Sequence, residues 1–175
     1  MLTRTIRFAM LAGAGVAAWK AYAGRGASRP FPAQALHDGV AALEAARSAQ
    51  LRGASAELRR FAQQMEHDHA GLARALADAA GTGIPKPDRR QRSVIQAIDQ
   101  HQGEAYDRAW LRHMARCQGR AIRLYQREVD QGGAATSIAA EALPTLRAHD
   151  RKLAALRSGD DGATPAAAAE DALPG

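Results

Sequence analysis

The chain has 175 residues, 46 % of them apolar and 24 % charged, with a formal net charge of +6. That is the size of one ordinary domain. Its 43 alanines against 8 aromatics favour helix over strand and exclude a β-sandwich or barrel. A lone cysteine excludes an internal disulfide framework and any Cys-rich zinc module.

Residues 1–23 read as an export signal. Arg4 and Arg7 give a basic start, Phe8 to Trp19 is an uncharged run, and Ala21-Tyr22-Ala23 is a small-x-small cleavage pattern. The alternative is an uncleaved inner-membrane anchor through residues 8–19, a run short for a span and followed by Lys20. Cleavage predicts a periplasmic or otherwise exported protein with no transmembrane segment. Residues 24–32 read as a linker. The last 18 residues carry four acids and no base and read as a disordered acidic tail, residues 158–175. Signal and tail removed, residues 24–157 stand at +7. The arginines spread over every predicted helix, which points to a solvated surface with weak contact to anionic membrane surfaces, and to no specific nucleic acid.

In the folded part the apolar residues repeat at helical spacing. A first helix over about 33–51 carries Leu36, Val40 and Leu43. A second, 56–80, carries Leu58, Ala62, Met65, His69, Leu72, Leu76 and Ala79 at alternating steps of four and three. The run from Gly81 to Pro87 stops it. A short helix over 88–100 offers Val94, Ile95 and Ile98. A third long helix, 104–131, presents Trp110, Leu111, Met114, Ile122, Tyr125 and Val129. The last, 135–157, aligns Ala135, Ala139, Ala142, Leu146, His149, Leu153 and Leu156. Pro144 inside it predicts a kink or a division. Short first–second and third–fourth links predict an all-α antiparallel four-helix bundle, with a short extra helix between the second and third long ones.

His69 and His149 stand at inward seam positions of two helices. If the two short turns lie at the same end of the bundle, these histidines share a layer. Counting back the same distance along the first helix lands on His37, and His113 of the third helix is one turn away. Glu66 and His69 form Glu-x-x-His, the spacing that di-metal carboxylate bundles use twice; here Leu146 stands where the second glutamate is needed. What remains is a single-ion site of His69, His149, His37 and Glu66, with His113 as a further candidate, for iron, copper or zinc. The competing reading is a structural or interaction module of the cell envelope whose histidines are hydrogen-bonded core residues. No Gly-x-Ser-x-Gly, phosphate loop or paired-carboxylate pattern supports an enzyme. Cys117 reads as a small buried apolar residue, and Glu44 as an ion-pair partner at the bundle edge.

Three runs carry a family resemblance: Phe61 to His69, Tyr106 to Trp110, and Leu143-Pro144-Thr145-Leu146-Arg147-Ala148-His149. Together with Glu44 in the first helix they resemble, in order, domain-of-unknown-function family 4142 over about residues 33–157. The resemblance implies an exported, ferritin-like bundle without a settled activity or cofactor. Members commonly carry a further histidine in mid third helix, and Gln118 stands there in this chain.

Overall fold

The computed structural model describes residues 29–161, and these hold five helices and no strand. They are α1 (Phe31–Arg52), α2 (Ala56–Ala80), α3 (Arg89–Asp99), α4 (Gly103–Gln131) and α5 (Thr136–Asp161). Residues 1–28, with the predicted signal and most of the predicted linker, and residues 162–175 of the predicted tail lie outside the described residues. None of the described helices is long and apolar enough to cross a membrane.

Several helix boundaries have a local cause. Ser55 caps α2, its hydroxyl accepting from the Leu58 N–H at 3.0 Å. Asp88 and Gln91 form a reciprocal capping box at the start of α3. Gly81 and Gly132 end α2 and α4 in the left-handed conformation that favours glycine. Gly53, between α1 and α2, serves by size instead: a Cβ there would sit 2.7 Å from both the Ala49 carbonyl oxygen and Leu58 Cδ2. The α1–α2 turn is tight because nothing projects from Gly53 into that gap. Helix α1 begins two residues before the expected start, and Phe31 there packs edge-on against Tyr125 of α4, ring centroids 5.0 Å apart.

Helix α1 packs on α2 and on α4, and α5 packs on α4 and on α2. The contacts set the directions. The start of α1 meets the late part of α4 at Phe31–Tyr125. At the opposite end, the α1–α2 turn receives Asp107 from the start of α4. Neighbouring long helices are thus antiparallel, while α2 and α4 run the same way. Between them the chain must return the length of the bundle, and α3 does this lying parallel to α1: its N-terminal cap Asp88 meets His37, and Asp99 at its other end meets Ser48. The two short turns consequently lie at opposite ends, so the condition from which the sequence reading counted, a shared end, is not met.

Two apolar clusters fill the interior. One surrounds Trp110, Met114, Met65, Phe61 and Leu58, toward the α1–α2 turn. The other surrounds Leu36, Leu43, Leu76, Leu146 and Tyr125, toward the α4–α5 turn. The predicted seams are the buried faces with two exceptions. Ala79 is exposed and Ala77 and Ala80 are buried in its stead; Val94 points outward, leaving Ile95 and Ile98 as the contacts of α3. Pro144 does not divide α5, which runs unbroken from 136 to 161, four residues into the segment read as tail. Packing of Leu143 and Leu146 into the second cluster holds together a helix weakened by the missing donor.

Candidate functional site

His69 and His149 meet where the two clusters join. Both are nearly fully buried, at 6 % and 4 % exposure, with ring centroids 5.6 Å apart and planes at 29°. They share a level because each lies near the middle of its own antiparallel helix, which holds whichever end the turns occupy. Edge-on contact with Phe61 at 5.8 Å closes one side of the His149 ring.

Asp68 sits beside them. Its Oδ2 lies 3.0 Å from His149 Nε2, and Gln64 donates to both its oxygens at 2.9 and 3.0 Å. Burial acts against the ionised carboxylate, but the hydrogen bonds from His149 and Gln64 outweigh it and bring its pKa below the usual value. An ionised Asp68 makes His149 the donor through Nε2–H, leaving a bare lone pair on Nδ1 when the ring is neutral. That nitrogen and His69 Nε2 are buried and have no hydrogen-bond partner. Both residues line one small cavity of about 20 Å³, together with Asp68, Leu72, Ala142, Thr145 and Leu146.

The other predicted ligands are not brought here. His37 is one helical step off the Leu36–Val40 face and turns toward α3, where its ring meets Asp38 at 3.2 Å and Asp88 at 3.1 Å. Glu66 faces α1 instead of α5 and accepts from Arg47 Nε and Gln50 Nε2, each at 2.7 Å; these bonds lower its pKa. His113 lies beside Cys117, with Nε2 3.4 Å from the sulfur. Glu44 is exposed, 4.0 Å from Arg47. The four-ligand set predicted from the sequence is therefore not assembled, and the described residues hold no group of three or more His, Cys, Asp or Glu poised for a metal ion. Gln118 does point inward: 2 % exposed, it donates to the Leu146 carbonyl oxygen at 2.9 Å, one turn from His149. Its amide engages α5 backbone where a histidine would offer a ring nitrogen. Asp68 is the partner that seam counting overlooked; its signal was the Asp-His pair itself.

A model of a domain of unknown function, DUF4142, matches residues 15–156. The chain belongs to the DUF4142 family. No curated protein matches this DUF4142 sequence. Among solved structures it is similar to the crystal structure of a DUF305 fragment from Deinococcus radiodurans, at 16 % identity and a TM-score of 0.61, over 76 % of this chain and 99 % of that one. At that identity the likeness concerns the fold alone. For this DUF4142 member the arrangement around His69 therefore rests on its own geometry.

Burial, and then the neighbouring His149, hold the His69 pKa down to about 4 from 6.5, with Asp68 pulling weakly the other way. The unfolded chain takes up this proton near pH 6.5 and the folded chain only near pH 4. Between those values the unfolded state binds more protons, so stability is full above pH 6.5 and falls as acid is added, by about 3 kcal/mol at pH 4. Urea denaturation of metal-free protein across this range should show the slope in the parent and lose it in His69→Leu. Parallel profiles for the two proteins would mean that His69 charges in the folded state without penalty.

Proposed function

We propose that this protein is an exported, ferritin-like bundle that holds one transition-metal ion between His69 Nε2 and His149 Nδ1. The observation that carries the reading is that these two buried ring nitrogens lack hydrogen-bond partners and belong to residues lining the same cavity. Asp68 on the far nitrogen of His149 is the second-sphere carboxylate that orients a ligating imidazole and raises its basicity. The helix order, up-down-down-up with one long connection along the bundle, supports the ferritin-like assignment. The basic, apolar and small-residue succession over 1–23 supports export.

Donor number selects among metals. Structural zinc takes four ligands, whereas two imidazoles and a cavity with room for about one water offer three at most. Such a site suits copper, which also stands highest in affinity for nitrogen donors. The role is binding and sequestration. A second reading has one observation in its favour: a water fits the same cavity and would bridge the two nitrogens, leaving a non-catalytic structural or interaction module of the cell envelope.

Elemental analysis of mature protein purified without a histidine tag decides. About one equivalent of copper, absent from a folded His69→Leu/His149→Leu double variant, is the expected result. Protein that is metal-free as purified and takes up no copper, iron or zinc when each is offered would overturn the metal site and leave the water-bridged module.

A further inference from the structure

A second cavity lies on the outer side of the α1–α2 pair, away from the histidines. It measures about 450 Å³, within the range of small-molecule sites. Its floor is apolar, with Val40 and Leu43 of α1 beside Ala70 and Ala73 of α2. The two alanines leave this floor without a bulky side chain from α2. Its far wall is the α2–α3 connection, where Ile84 lies half exposed, an apolar side chain turned to an open groove. That wall is held down where α3 begins: Asp88 meets His37 at 3.1 Å, and Gln91 donates to the His37 carbonyl oxygen at 2.8 Å. The predicted ligand His37 thus has a different task, as the post to which this wall is tied.

The rim is cationic. Arg74, Lys86 and Arg92 line it, and none has a carboxylate within ion-pair distance among the described residues. Arg47 lines it as well, but is engaged by Glu66 at 2.7 Å. Glu44 is the one acid of the lining. An apolar groove with unpaired cations at its mouth is complementary to a ligand with an apolar body and an anionic end. A two-chain lipid exceeds this volume.

We infer that the groove binds a free fatty acid of medium chain length, its acyl chain along Val40, Leu43, Ala70 and Ala73 and its carboxylate at Arg74, Lys86 and Arg92. This site is independent of the histidine pair, so it stands or falls separately from the metal reading. The test is calorimetric titration of the mature chain with decanoate below its micellar concentration, with decanol as the uncharged control. One-to-one binding of decanoate at least about tenfold tighter than decanol is expected. Arg74→Glu/Lys86→Glu, both exposed positions, should weaken decanoate by about tenfold or more and leave decanol unchanged. Ala70→Phe, which fills the groove, should abolish both while the far-ultraviolet spectrum stays that of the parent. Equal affinity for acid and alcohol, no binding of decanoate at millimolar concentration, unaltered binding by folded Ala70→Phe, or displacement of decanoate by an acidic peptide would each overturn the assignment.

Discussion

Trp110→Ala is expected to lower the stability of the fold by about 4 kcal/mol, the range for removing a fully buried large aromatic. Trp110 has no solvent exposure and sits in the first apolar cluster, edge-on to Phe61 at 6.4 Å. Its indole N–H donates to the Ala45 carbonyl oxygen of α1 at 2.8 Å. The alanine variant leaves a cavity, strands that contact, and loosens α1 from α4, which Trp110 joins near the α1–α2 turn as Phe31 and Tyr125 do at the other end. For a domain of this size the melting temperature should fall by on the order of 15 °C. Trp110→Phe keeps most of the volume and loses the hydrogen bond, so about 1–2 kcal/mol should be lost. Chemical denaturation of the three proteins checks both values. A Trp110→Ala loss below about 2 kcal/mol would show that the cluster collapses around the gap.

Asp107→Ala is expected to cost about 3 kcal/mol without touching the apolar core. The carboxylate of Asp107, 6 % exposed, accepts the Ala54 and Ser55 N–H groups at 2.8 and 2.9 Å. It therefore ties the start of α4 across the end of the bundle to the α1–α2 turn. Removing it breaks two hydrogen bonds that tie an exposed turn to a buried carboxylate, and bonds to a charged acceptor are the stronger kind. Asp107→Asn retains one carbonyl oxygen and should recover about half of the loss. Equilibrium unfolding separates the outcomes. If the asparagine variant is as unstable as the alanine one, the charge and not the acceptor geometry matters.

What the sequence made legible follows from what a helical repeat contains. The steps of four and three along Leu58 to Leu76 and along Ala135 to Leu156 name the buried faces, and the faces name His69 and His149 as inward. Their meeting was reached by counting from turns assumed to share an end; it holds because both residues are mid-helix. His37 and Glu66 were not legible in the same way. A residue count gives height along a bundle, but the side on which a half-inward residue ends depends on what packs there. Here α3 draws His37 outward, and Arg47 and Gln50 draw Glu66 toward α1. Asp107 was legible only as part of a family-like Tyr-Asp pair. Its partners lie 53 and 52 residues earlier in the chain, beyond any local pattern. Pro144 shows the converse: of the kink or division that it signals, the division gave way to packing on both sides of it.

The crossover taken by α3 also decides how the molecule presents its two ends. Because the chain returns the length of the bundle once, α1 enters at one pole and α5 departs at the other. With α5 at 26 residues, the poles are separated by about 40 Å at the helical rise. A tether joined ahead of Pro30 and a cargo joined beyond Asp161 would be held apart by a rigid strut, on opposite sides of the buried histidine pair. A two-hairpin bundle without the crossover would bring both attachments to one pole.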